Sequence, residues 1–154
     1  MQIELTINRE SVWQEVAKTT NYTGAKMEGG DEATFDRIAT TDEDQQLLER
    51  FWAEACNTVS DQLKPFIVAV NGINNSGTFA VVLEMSSAFD SRLRESINTS
   101  LFSYFVAAIV AKWYGFTNKG EASQYAEMSA SMMDDVMRKI YYKKRPTRVA
   151  PNIN

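Results

Sequence analysis

Between residues 89 and 114, apolar side chains recur every three or four positions: Leu93, Ile97, Leu101, Phe102, Phe105, Val106, Ile109, Val110, Trp113 and Tyr114. That period predicts a helix with one strong apolar face. Arg92, Arg94 and Glu95 crowd its opening, while Ser103, Tyr104, Ala107 and Ala108 leave even the opposite face mild. A helix without a strongly polar side is expected to be covered on more than one side, as the central post of a domain or as a subunit contact.

The rest of the chain arranges itself around that post. Ile3, Leu5 and Ile7 alternate with Gln2, Glu4 and Thr6, the pattern of a short half-buried strand. Asn8 is placed to cap a helix running to about Thr19, with Val12, Trp13, Val16 and Ala17 on its apolar face. Residues 24–40 read as a loop, with a helical turn around 33–38. Thr41 then caps a second helix over residues 42–63. Asp42, Glu43 and Asp44 open it, and Leu47, Leu48, Phe51, Trp52, Ala55, Cys56, Val59 and Leu63 recur along it. Its broad aromatic face is expected to pack on the central helix.

At residues 66–70 and 78–85 the period shortens into two β-prone runs around an Asn- and Gly-rich loop. This predicts a β-hairpin insertion at about 66–85, the competing reading being a helix that continues through Val70. A hairpin edge would be a place for another chain to pair. The central helix, opened by Ser86, Ser87 or Asp90, is expected to end near Tyr114 with Gly115 as its cap. A last helix from Glu121 to about 141 carries Tyr125, Met128, Met132, Met133, Val136, Met137 and Ile140 on one side and should lie antiparallel to the central one. The prediction is a mainly α fold, a bundle-like domain of three to four helices with a short N-terminal strand. It divides into one domain over residues 1–141 and an extended basic arm over 142–154.

Charge sharpens this picture. Residues 1–64 carry thirteen acidic and six basic side chains, a balance of −7; residues 65–154 carry seven and ten, a balance of +3. After Asp135 every charged side chain is basic: Arg138, Lys139, Lys143, Lys144, Arg145 and Arg148. Such asymmetry suits head-to-tail contact between copies or contact with a polyanion. Three readings of the arm stay open: a phosphate-backbone contact, a plain soluble tail, and an arm lying on a neighbouring acidic subunit. The most apolar stretch, residues 101–111, is too short to cross a bilayer, and residues 1–8 show no targeting pattern.

Candidate chemistry is sparse. The chain has no histidine, which removes the commonest general base and metal ligand. The lone Cys56 reads as a small buried hydrophobe. Asp42, Glu43 and Asp44 are explained by a helix start. Asp134 and Asp135 read as a solvated helix face. Glu84 reads as an outward strand position or interface charge, the alternative being a buried acid with a raised pKa. Neither cofactor nor metal site is expected, and the chain reads as non-enzymatic. Met128, Met132, Met133 and Met137 form a stripe read as core packing that a subunit seam could share.

The order of elements resembles the small head–tail connector, or adaptor, proteins of tailed bacteriophages and prophages. The resemblance covers about residues 41–148. It rests on the acidic start Thr41-Asp42-Glu43-Asp44, the helix bearing Leu47, Leu48, Ala55 and Val59, the long helix at 94–114 ending in Trp113-Tyr114, the last helix at 121–141, and the basic extended end. The segment ahead of Thr41 and the insertion at 66–85 depart from the family's pattern. The resemblance implies a homo-oligomeric ring beneath the portal, partnered by portal and tail-completion proteins in a virion neck, without catalysis. Subunit contacts are then expected at Phe79, Val81, Phe102, Phe105, Met132 and Met133. Lys143, Lys144, Arg145 and Arg148 are expected to reach a neighbouring ring or the DNA backbone. The alternatives are a small cytoplasmic protein-binding module using its methionine face and an accessory protein that contacts DNA through the arm.

Overall fold

A computed structural model of the chain describes residues 1–26, 44–70 and 77–151. In strand β1 (Gln2–Asn8) the alternation of the sequence becomes alternating burial, with Ile3, Leu5 and Ile7 inward and the residues between them exposed. Helix α1 (Arg9–Lys26) begins at the expected cap, where the Asn8 carboxamide oxygen accepts the Ser11 N–H at 2.9 Å. It runs well beyond Thr19. Thr20 is fully buried, and the Thr20 and Thr23 hydroxyls donate to the Val16 and Thr19 carbonyls at 3.0 Å each. Packing along this face carries the helix through Asn21 and Gly24, so residues 24–26 are helical rather than the start of a loop. The turn expected at 33–38 and the cap expected at Thr41 lie outside the described residues.

Helix α2 (Gln45–Leu63) buries Leu48, Phe51, Trp52, Ala55, Cys56, Val59 and Leu63. It faces the central helix as expected, with the Trp52 and Phe105 rings 4.9 Å apart. A 3-10 turn at Lys64–Phe66, with Pro65 near its start, ends it. Strands β2 (Ile67–Val70) and β3 (Thr78–Glu84) then pair antiparallel, which decides for the hairpin over a continuing helix. Pairing between β1 and β3, from Gln2 opposite Glu84 to Asn8 opposite Thr78, makes one three-stranded sheet in the order β1-β3-β2. The N-terminal strand and the hairpin are therefore one element, which the sequence reading had treated as two. Gly77, at φ +70°, lets the chain enter β3 with its carbonyl accepting the Arg9 N–H at 2.9 Å, joining the first helix to the middle strand.

After a 3-10 turn at Ser91–Leu93, helix α3 (Arg94–Thr117) passes straight through Gly115. It is the post that the pattern predicts. Its buried residues include Ile97, Leu101, Phe105, Ile109 and Trp113 on the strong face and Tyr104, Ala107 and Ala108 on the mild one. The sheet's inner face, the side chains of α1 and α2, and α4 (Lys119–Tyr141) all join its core cluster. Phe79 from β3 meets Phe105 at 5.7 Å between ring centroids. Helix α4 lies antiparallel to α3: Tyr125 meets Tyr114 near one end and Asp135 meets Ser100 near the other. Only Met133, Val136 and Ile140 of α4 are fully buried. The fold is mainly α, with four helices among the described residues and a small sheet. None of the described helices is long and apolar enough to cross a membrane.

Candidate functional site

The surface features that could meet a partner gather at the end of α4 and along the sheet. Helix α4 ends where Tyr142 turns extended, its N–H held by the Lys139 carbonyl at 3.2 Å. The chain then makes a single antiparallel bridge between Lys143 and Phe89, and the Lys144 N–H donates to the Ala88 carbonyl at 2.8 Å. From Tyr142 to Pro151 every residue is exposed, Val149 at 93%. Beyond Lys144 this arm makes no hydrogen bond to the described residues. Lys143, Lys144, Arg145 and Arg148 lie on this one exposed segment, with no salt bridge of their own among the described residues.

Two carboxylates lie next to the root of the arm. Asp90 is buried beneath it and accepts from the Arg92 backbone N–H at 3.1 Å, from Nε at 3.0 Å and from Nη2 at 2.8 Å. The Arg92 hydrogen bonds hold its pKa down to about 2 against the opposing effect of burial, and the Lys144 charge adds to them. Asp135 accepts from Lys139 and from the Ser100 hydroxyl, each at 2.6 Å, and also pairs with Arg138. These bonds, Lys139 first and Ser100 second, lower the Asp135 pKa. Asp135 is thus a bridge between α3 and α4, not the solvated position that its sequence neighbourhood implies; Asp134 is exposed.

A cleft of about 650 Å³ lies between these groups, lined by Asp90, Arg92, Leu93, Arg138, Lys139 and Tyr142. Its cations are already engaged, Arg92 by Asp90 and both Arg138 and Lys139 by Asp135. The unpaired positive charge lies farther out, on the arm. A second hollow, of about 440 Å³, is walled by Ala108, Ala111, Ala122 and Ala126 with Tyr104 and Lys112, and Lys112 is bound to Glu54 at 2.7 Å. Among the described residues no three histidine, cysteine or acidic side chains converge on a common point.

The sheet has two unlike edges. On β1, the outward carbonyl of Glu4 accepts from Arg94 Nε at 3.2 Å, and the outward Thr6 N–H donates to Asn98 Oδ1 at 3.0 Å. Helix α3 thus covers that edge with polar side chains. On β2, no described side chain bonds to the backbone, and Val68 and Val70 are 54% and 45% exposed. A register shift between Ile67 and Ala69 leaves Val68 outside the pairing with β3.

The other predicted positions are distributed differently. Phe79, Val81, Phe105 and Met133 are interior to the protomer's own core, whereas Phe102 and Met132 are half-buried and keep some surface. Burial pushes the Cys56 thiol up to about 12. Glu84 is exposed and paired at 2.9 Å with the Met1 amino group, whose hydrogen bond lowers its pKa, so it is an outward strand position. Asp42 and Glu43 lie outside the described residues. The hairpin edge is the expected place for another chain to pair; what sequence reasoning missed is that the β1 edge is covered, and the Ile67-Val68-Ala69-Val70 run carries no charge or proline. Comparison with protein-family models, with curated proteins and with solved structures gives no match.

Proposed function

We propose that the chain is a non-enzymatic structural subunit that self-assembles head to tail, and that its assembly is a ring in a phage neck joining the head portal to the tail. One observation carries the reading. Residues 142–151 leave the fold as an exposed arm whose four cations make no salt bridge among the described residues, on a chain whose first 64 residues hold a balance of −7. A segment that is tied to its own protomer only at its root and opposes the charge of the other half is suited to a second copy. The class of assembly rests on the resemblance, and the order α2, sheet, α3, α4, basic arm supports it.

Light scattering across protein concentration and salt tests the proposal. Growth of mass with concentration toward a closed oligomer, weakened by salt, is the expected result. A single-chain mass at every concentration contradicts it. Salt-sensitive binding of duplex DNA that disappears with the arm would instead mark the cations as a phosphate contact.

A further inference from the structure

We propose that residues 147–150 of one copy add as a fourth strand to the open β2 edge of the next copy. The inference rests on the self-assembly reading above and names the surface through which it works.

The sheet itself supplies the first half of the argument. Its two edges are treated differently by the same helix. Arg94 and Asn98 of α3 occupy backbone groups of β1 that a further strand would need, so addition there requires breaking both bonds. The backbone of β2 carries no such cover among the described residues, and its Val68 and Val70 side chains present apolar surface. Among the described residues the order β1-β3-β2 leaves these two as the outer strands, and β2 is the one whose backbone no side chain occupies.

The arm supplies the second half. At the root of the arm Tyr142 has extended backbone angles, φ −65° and ψ 130°, and Lys143 makes one antiparallel bridge to Phe89; residues 147–150 begin four residues beyond it. Pro146 and Pro151 have no N–H and so bracket the stretch Thr147, Arg148, Val149 and Ala150, which keeps all four. Strand β2 is also four residues long. Val149, 93% exposed, would lie beside the exposed valines of β2 and remove apolar surface from water on both partners. Arm and edge are different surfaces of the same protomer, uncovered in it and complementary to each other. A contact of that kind is heterologous and repeats from copy to copy, which is the arrangement that closes into rings. Pairing of β2 with β2 would be two-fold instead and would stop at a dimer.

The test places one cysteine in each partner. Val68→Cys and Val149→Cys chains are made separately, mixed and mildly oxidised; the native Cys56 is buried and does not compete. The expected result is a mixed disulfide between the two variants, well in excess of either homodimer. Dominant Val68→Cys homodimer would overturn the proposal in favour of two-fold edge pairing. Closure within one chain in the Val68→Cys/Val149→Cys double variant, without linkage between copies, would overturn it in favour of self-capping. A chain ending at Arg145 gives the complementary reading. It retains its helical circular dichroism, and the concentration-dependent growth of its mass falls at least tenfold. If that shortened chain assembles like the full one, arm pairing is wrong while self-assembly stands. If the full chain never exceeds a single-chain mass, both fail.

Discussion

The two edges of this sheet differ by what lies beside them, not by their own strand propensity. β1 alternates polar and apolar residues and is closed by Arg94 and Asn98, side chains about ninety residues away in sequence. β2 is a continuous apolar run and is closed by nothing among the described residues. Proteins blunt an open edge with lysine, proline, a covering element, a short strand or a bulge, and β2 has only the last two, four residues and the irregularity at Val68. Retaining one edge while sealing the other is what a subunit needs if it must pair in one direction only. Under the proposed self-assembly, the contrast would place stability on the β1 side and pairing between copies on the β2 side.

The strongest way to break the contrast is to remove the floor beneath both edges. Phe105 is fully buried against Trp52 and Phe79, so Phe105→Ala should cost about 3–5 kcal/mol. Chemical denaturation should show the loss directly, and both edges should fail together. Next in size is Asn98→Ala, which frees the Thr6 N–H. About 1 kcal/mol of stability should be lost, with faster amide exchange along β1 and assembly unaffected. A mass distribution that shifts in Asn98→Ala would mean that β1, too, takes part in pairing.

Acid acts on the root of the arm. Asp90 is held at about 2 against its ordinary 3.8, so its contribution to the folded state is complete above about pH 4 and is lost as pH falls toward 2. Denaturation midpoints measured from pH 5 to pH 2 should fall more steeply for the native chain than for Asp90→Asn. Equal slopes would show that the Arg92 bonds do not stabilise the folded chain. Smallest in stability is Val68→Lys, expected to change the folding free energy by no more than about 0.5 kcal/mol because Val68 is largely exposed and outside the pairing. The same substitution should nevertheless abolish concentration-dependent mass, and that separation of effects is the sharpest form of the comparison.

Much of this was legible in the sequence, and the reasons for the misses are specific. The post α3 was legible because its period and its mild opposite face both require burial, and α2 because its apolar positions recur at helical spacing without interruption. The length of α1 was not, because Asn21 and Gly24 signal a stop that the burial of Thr20 overrides. The strands were visible one by one from their residue types, while the pairing of β1 with β3 is a contact across some eighty residues that no local pattern encodes. The same holds for the candidate site. The cations of the arm stand out in any charge count. The sealing of β1 depends on where α3 lies in space, and the open edge is visible only by contrast with it. Asp135 follows the same rule: beside Asp134 it looks solvated, and only the approach of Ser100 and Lys139 turns it into a bridge between helices.

The most direct measurement is amide hydrogen exchange of the full chain as its concentration is raised at low salt. The account predicts that residues 67–70 and 147–150 gain protection together as mass grows, while residues 2–8 keep the protection they already have. Protection that rises first along β1, or growth of mass with no change at residues 67–70, would contradict it.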